Sequence, residues 1–563
     1  MGLVMSTPVD KMDGPYTKRW AALGVLCLSL LIIVMANTSL TVAAPDMVKD
    51  LGLGSSDLQW VIDGYTVPYA ALMLILGAVG DKYSRRGALV LGLVVFGAAS
   101  VAGSLVDSST GVIAARAVMG VGAAMIMPAT LSLLAATFPR AERAKAITIW
   151  TATAGLAIAV GPLVAGALLE DHGWASTFLI NVPIAALGIV GALLLVPPSK
   201  AEGVDKIDYI GGALSVVWVG SLIYMIIEGP HFGWGAKAIA AAVIAGIGLV
   251  LFVLWELRHP RPVLDVRRFT QRAFAGSTMA VALFFLAVFG AFYYLTQHLQ
   301  FVLGYSPLDT GVRMLPLAGA VFVGGALTAL LTPKVGMKVT VALGMTVGTV
   351  AVALLTRVDA SSTYDDFVLP LVVLGLAIGL SLSPCTNAIM GSFPEDQLGV
   401  GGAVNSTSIE MGGSLGIAIL GTVLAKTYSS NLADAAAQAA AAGGPKLPEK
   451  ALTAAQDSVG AGLYVAQEVG KQVTAGAAPK VGAEKAAALG AQQAQTVVEA
   501  VHKAFSDAVA HTSLVGAIVL GAGTVLVALL LPGKGGPKAA SEGSQEAGAT
   551  VAADGEKKTE ARV

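Results

Sequence analysis

Apolar residues gather along this chain in long blocks separated by short polar turns. A helix rises about 1.5 Å per residue, so about 20 apolar residues cross a bilayer. Fourteen blocks reach that length, near 20–44, 58–80, 87–106, 110–135, 143–169, 175–196, 208–228, 236–257, 274–297, 311–332, 338–357, 367–391, 399–426 and 511–532. Barrel strands would alternate and be about half as long, so the pattern predicts fourteen transmembrane helices, here helices 1–14. The first block is longer than the roughly 7–15 apolar residues of a signal peptide, and no small-residue cleavage site closes it. It is read as a spanning helix.

Two segments break the pattern. Residues 427–510 are rich in Ala, Gln and Lys, and the segment is interrupted by Gly443-Gly444-Pro445 and Pro479. They are expected to form a solvated helical hairpin near 450–472 and 482–508, or a lid over an outward vestibule. Residues 533–563 carry Gly, Ala, Lys and Glu without periodicity, the pattern of a disordered tail.

The polar turns orient the chain. One set carries Lys82, Arg85 and Arg86, then Arg140, Arg143 and Lys145, Lys200 and Lys206, Arg258 to Arg272, and Lys334 with Lys338. The opposite short loops carry little beyond Lys49, Lys237 and Arg357. The positive-inside rule then places both termini in the cytoplasm of a cell (plasma) membrane protein. Composition agrees, since 55% of residues are hydrophobic and only 13% charged, about half the charge of a soluble domain. That charge cannot clothe soluble domains of this length. A net charge of −1 without a basic face gives no nucleic-acid partner. Cys27 and Cys385 sit in apolar runs, and the six histidines show no ligand spacing, so no metal or cofactor is expected.

An internal echo organises the helices. Helix 5 holds Gly155-Leu156-Ala157-Ile158-Ala159-Val160-Gly161-Pro162, and helix 13 holds Gly412-Gly413-Ser414-Leu415-Gly416. Both are small-residue helices suited to close contact. Helices 1–6 (20–196) and 9–14 (274–426 with 511–532) then become two six-helix bundles, with helices 7 and 8 an insert within 197–273. Residues 1–19 are a cytoplasmic tail. Repeated halves around a midplane site describe a secondary transporter.

Ionised groups are costly at bilayer depth and therefore face a cavity or a partner. Three acids lie within runs: Asp63, Glu228 and Glu410. Asp63 is roughly 7 Å into helix 2 and Glu410 roughly 18 Å into helix 13 by helix rise. Arg116 and Asn37 are placed at the depth of Asp63. Glu228, beside Gly229-Pro230, reads as interfacial. A carboxylate that holds either a proton or a cation suits exchange, which makes Asp63 and Glu410 the candidate proton-coupling acids. Arg116 either tunes Asp63 or braces helix 4 against the backbone of helix 1. An adaptable apolar pocket calls for aromatic and Met side chains. Tyr65, Tyr69, Met119, Met125, Met127 and, on helix 9, Phe284, Phe285, Phe289, Phe292, Tyr293 and Tyr294 are available. Asn37, Tyr65, Tyr69, Met119, Phe292 and Glu410 are the chosen substrate-contact set.

Three motifs in order resemble the signatures of the major facilitator superfamily. They are Gly77-Ala78-Val79-Gly80-Asp81-Lys82-Tyr83-Ser84-Arg85-Arg86-Gly87, then Arg116-Ala117-Val118-Met119-Gly120-Val121-Gly122, then the helix 5 segment continuing to Gly166. With fourteen helices they resemble its drug:proton antiporters. Trp60 to Tyr65, Trp174 to Pro183 and Glu410 to Gly413 look like the quaternary-ammonium efflux branch. The resemblance implies a conformational latch at Gly77, Asp81, Arg85 and Arg86, and an antiporter motif at Gly155, Gly161, Pro162 and Gly166. Three departures stand out. Ala36 occupies the place of that family's helix 1 acid, nine residues before Pro45; Ser84 replaces a Gly and Met119 a frequent Gln.

No ATP-binding Gly-x4-Gly-Lys-Ser/Thr is present, so the expected driving force is ionic. The resulting expectation is a monomeric, non-enzymatic exporter of lipophilic, cationic small molecules, exchanged for protons by alternating access. A dedicated exporter of one metabolite, lipid or antibiotic is the second reading, favoured by Ala36. A sensor or scaffold built on residues 427–510 is the third.

Overall fold

The computed structural model describes residues 16–533 except 52, 54, 202–205, 233 and 442–447. The Gly443-Gly444-Pro445 break, nearly all of the N-terminal tail and the C-terminal tail beyond 533 lie outside the described residues. Among the described residues, fourteen helices are long and apolar enough to cross a membrane, and no strand occurs.

Helix 1 is Arg19–Leu51 and helix 2 is split into Ser55–Asp63 and Thr66–Tyr83. Helices 3, 4 and 5 are Arg85–Ser104, Ser109–Thr137 and Arg140–Asp171, and helix 6 is Ser176–Leu179 with Asn181–Leu195. Helices 7 and 8 are Tyr209–Phe232 and Ala236–Arg258. Helix 9 is Arg272–Gln297 and ends in a π-helical turn, His298–Val302. Helix 10 is Pro307–Arg313 with Leu315–Val335, and helices 11 and 12 are Met337–Leu354 and Tyr364–Gly391. Helices 13 and 14 are Leu398–Ala441 and Ala483–Leu530, the longest of the set.

The two halves repeat one pairing scheme. Helix 1 packs on 5 and 6, helix 2 on 4, and helix 3 on 4 and 6. Eight helices on, helix 9 packs on 13 and 14, helix 10 on 12, and helix 11 on 12 and 14. Helices 5 and 13 thus hold matching places, as their small residues predict. Gly161 lies against Thr38 of helix 1, and Gly412 and Gly416 lie on the Ala282 and Leu286 carbonyls of helix 9. A side chain at these positions would force the backbones apart.

The halves meet where helix 2 packs on 13 and helix 5 on 10. Helices 7 and 8 pair with each other, and helix 7 covers the seam between helices 2 and 13. Ile223, Ile226 and Ile227 bury against Ala70, with Met411 and Leu415 alongside. Helix 8 keeps Ile239, Val243, Ile247, Val250 and Leu254 exposed, a face for lipid.

The segment after helix 13 forms a helical hairpin, Val459–Val481 packing on the first part of Ala483–Leu530, but its bounds differ from those expected. Helix 13 continues unbroken to Ala441, and the second predicted hairpin helix is fused to helix 14. No Pro lies in either stretch to remove a backbone N–H, so Ala-rich helix propagates through. The first predicted helix is divided into Glu449–Gln456 and Val459–Val481, because the Ser458 hydroxyl caps a new start by accepting from the Ala461 N–H (3.2 Å). Pro479 lies in its last turn without ending it. The Tyr428 hydroxyl of helix 13 donates to the Ala455 carbonyl (2.9 Å), which ties this layer to the bundle.

Candidate functional site

Helix 2 breaks where its own sequence removes helical donors. Pro68 has no N–H for the Gly64 carbonyl, and the chain turns at Gly64-Tyr65. The carbonyls that the break leaves are taken by Arg116 of helix 4. Its Nε donates to the Val61 carbonyl (3.1 Å) and a terminal nitrogen to the Ile62 carbonyl (3.0 Å). The same guanidinium reaches helix 1 through Asn37 Oδ1 (3.0 Å) and the Ala36 carbonyl (3.5 Å). It lies over the Tyr65 ring, 4.7 Å from the centroid, and is 1% exposed. Arg116 therefore braces helix 4 against helices 1 and 2 together, and it also lies within electrostatic range of Asp63.

Asp63 sits at the end of the first helix 2 segment and stays partly exposed, while Asn37 is exposed. Glu410 lies within helix 13, also partly exposed although deep in the bundle. Each acid acts across the halves. Glu410 of the second half is within electrostatic range of Tyr65 and Tyr69 of the first. Asp63 of the first is within range of Tyr293 of the second. The Tyr65 and Tyr69 rings pack at a tilt (centroids 5.3 Å apart), and the buried Tyr65 hydroxyl has no hydrogen-bond partner among the described residues.

The remaining substrate-contact candidates are more enclosed than expected. Tyr65, Tyr69, Met119 and Phe292 are all buried. On helix 9 the partly exposed aromatic positions are Phe289 and Tyr293, four residues and one turn apart. Glu228, expected at an interface, is buried beside Tyr224, whose ring lies 5.3 Å from Trp60.

At the end of the bundle that carries the basic turns, the predicted latch residues are in contact. Asp81 Oδ1 accepts from Arg85 Nε (2.7 Å). Asp81 Oδ2 accepts from the Gly399 and Val400 N–H groups (2.6 and 3.2 Å). These amides belong to the first turn of helix 13, where helical N–H groups have no internal acceptor and the dipole favours an anion. Arg85 also donates to the Ser199 hydroxyl (3.0 Å) and to the Glu395 carbonyl. Both members of the pair are 2% exposed. Arg86 instead donates to the Val196 carbonyl of its own half (3.2 Å). A Cβ at Gly77 would come within 2.6 Å of the Gly399 carbonyl oxygen, so only glycine lets the two helices close here. Gly77→Val is expected to hold this end open. Spin labels on the helix 2–3 turn and the helix 12–13 turn should then show a longer mean distance than in the parent protein. An unchanged distance distribution would refute this role.

The helix 5 motif faces two ways. Gly161 meets helix 1, whereas Gly155 and Gly166 meet Val321 and Leu308 of helix 10, across the halves. Pro162 lies within the helix. One inter-half contact carries no sequence signal: the Thr148 and Ser383 hydroxyls of helices 5 and 12 lie 2.8 Å apart. Mid-helix hydroxyls are common, and only packing pairs these two.

The profile of the Major Facilitator Superfamily matches residues 26–417. The chain belongs to the major facilitator superfamily. Among curated members, it is 33% identical to the multidrug resistance protein Stp of Mycobacterium tuberculosis (strain CDC 1551 / Oshkosh), over 72% of this chain and 76% of that one. It is 30% identical to the multidrug efflux pump LfrA of Mycolicibacterium smegmatis, over 91% of this chain and 96% of that one. A solved bacterial homologue of the human lysosomal transporter Spinster, inward-facing and unoccupied, superposes with a TM-score of 0.54 at 16% identity. It covers 92% of this chain and 98% of that chain, which shows the shared superfamily fold. Membership makes this a multi-pass membrane transporter of small molecules, and it gives the paired halves and the closed Asp81–Arg85 end their context.

Proposed function

We propose that this transporter exports lipophilic, cationic drugs or toxic compounds across the plasma membrane in exchange for protons. The observation that carries the reading is the crossed arrangement of Asp63 and Glu410. Each is a membrane-depth acid with accessible surface, Glu410 within electrostatic range of Tyr65 and Tyr69 and Asp63 within range of Tyr293, in each case of the opposite half. A carboxylate beside aromatic faces attracts a lipophilic cation, and protonation removes that attraction. Rocking of the halves would carry the loaded site from one side to the other, with Asp81 and Arg85 closing the cytoplasmic end between steps. The names of Stp and LfrA support drug efflux. The basic turns support a cytoplasmic position for both termini, and a monomeric unit fits a chain that holds both halves of the site.

The test uses purified protein in liposomes under an imposed pH gradient, with internal pH recorded. A cationic dye should release protons in the parent protein, and Asp63→Asn should weaken the response several-fold. Proton release evoked only by a neutral lipophilic compound would favour the dedicated-exporter reading. Ala36, in place of the acid present in cation exporters it resembles, is the observation on that side.

A further inference from the structure

The insert carries acids for which the exchange cycle has no use. Asp208 leads into helix 7 and Glu256 ends helix 8. Glu256 is 0% exposed. Its Oε2 accepts from the Leu264 N–H (3.1 Å), whereas its buried Oε1 has no hydrogen-bond partner among the described residues. That oxygen lies against the Cα of Gly211, on the side where Asp208 Oδ2 also lies, so one Cβ placed there would touch both carboxyls. The Asp208 carboxylate is well supplied with donors. Oδ1 accepts from the Gly211 N–H (2.9 Å), and Oδ2 accepts from Trp255 Nε1 (2.9 Å) and faces His259 Nδ1 at 3.4 Å.

This geometry is that of one charged and one neutral carboxyl. Two carboxylates side by side in a buried place repel, and an ionised Glu256 would leave an unpaired charged oxygen. A proton on Oε1 removes that charge and supplies a donor toward Asp208. We propose that Glu256 and Asp208 form a proton-binding site of the insert, one proton shared between them, separate from Asp63 and Glu410. Asp208 before helix 7 and Asp265 in the following linker act on Glu256 as like charges, His259 at the end of helix 8 faces Asp208, and Lys206, Arg258, Arg261, Arg267 and Arg268 line the adjoining cavity. His259, partly exposed and stacked on Trp255, gives the proton access. Asp208 and His259 line a cavity of about 560 Å³ that also reaches Asp81, Arg258 and Arg268.

The site is tied to the closed end of the transporter. Leu264, held by Glu256, lies four residues before Arg268. Arg268 donates to the Ser392 carbonyl and to Gln397 Oε1 (3.2 Å), and it covers the Phe393 ring at 4.8 Å. That turn presents the first turn of helix 13 to Asp81. With the proton bound, the linker stays docked and the turn is held. As pH rises and the proton leaves, two like charges loosen the linker.

The test needs no transport, so it stands apart from the proposed exchange. Full-length protein in nanodiscs is titrated by difference infrared spectroscopy, with hydrogen exchange of linker peptides followed in parallel. A protonated-carboxyl band that vanishes at alkaline pH should be missing in Glu256→Gln and retained in Glu410→Gln. In Asp208→Asn it should vanish at lower pH than in the parent, because removing the like charge eases ionisation. The protection factor around Leu264 should fall with pH in the parent, roughly tenfold for each unit over which the proton is lost, and stay flat in Glu256→Gln. A band unaffected by Glu256→Gln, or linker protection with the parent's pH dependence in that variant, would overturn the proposal. Should Glu256→Gln fail to fold, Asp208→Asn decides alone, and an unshifted band would reject the shared proton.

Discussion

Glu410→Gln is expected to abolish substrate-evoked proton release while leaving the protein folded and monodisperse. The substitution keeps the shape of the side chain and removes only its exchangeable charge. A cation that met a partly desolvated carboxylate now meets an amide. Charge-assisted contacts are worth about 1.5–3 kcal/mol, which corresponds to roughly 10–100-fold in apparent affinity. The proton-binding function is lost outright, because an amide does not titrate. Asp63→Asn should behave differently. If both acids carry protons, exchange of two protons for one monovalent cation moves charge, and the membrane potential adds about 2.3 kcal/mol per 100 mV. With Asp63 neutralised, one proton exchanges for one cation, and only the pH gradient drives export, about 1.4 kcal/mol per unit. Transport by Asp63→Asn should then lose its sensitivity to a potassium diffusion potential. Wild-type proton release by Glu410→Gln would remove this acid from the mechanism.

Arg116→Ala is expected to cost both stability and transport. The guanidinium, on a residue that is 1% exposed, supplies donors to two helix 2 carbonyls and to two acceptors on helix 1. Each buried acceptor left unpaired costs about 1–3 kcal/mol, so several kcal/mol in total is the expected loss. The break in helix 2 would also lose the brace that fixes Asp63 and Tyr65. Arg116→Lys should recover only part of this, since one ammonium lacks the planar fork that spans separated carbonyls. Thermal unfolding in detergent and dye export in cells should therefore rank Arg, Lys and Ala in that order. Melting and export at parental values in the Ala variant would show that the brace is dispensable.

The latch and the coupling acids differ in how far the chain itself disclosed them. Asp81 and Arg85 stood out because an acid among positive-inside arginines needs a reason, and the amides of helix 13 supply one. Their partner was illegible, since backbone N–H groups have no letter in a sequence. Arg116 shows the same limit. Its depth was readable, but two of its four acceptors are carbonyls freed by a break in helix 2, a span that reads as one continuous apolar run. Gly64 and Pro68 mark that break, yet the same residues occur inside unbroken membrane helices. On helix 9, Phe292 and Tyr293 are neighbours in sequence but lie about 100° apart around the axis. Apolarity all round a membrane helix leaves no polar face to say which of them turns inward.

The sequence by itself determined the number of spanning helices and the recurrence of small residues on helices 5 and 13. Those follow from bilayer thickness and the space a backbone contact requires, which are properties of segments. Only the tertiary structure decided which half each acid faces, that helix 7 covers the seam between helices 2 and 13, and that the outer segments run on as extensions of helices 13 and 14. It also brought Glu256 against Asp208. These depend on helix rotation and on backbone groups meeting side chains distant in the chain, and local pattern carries no record of either.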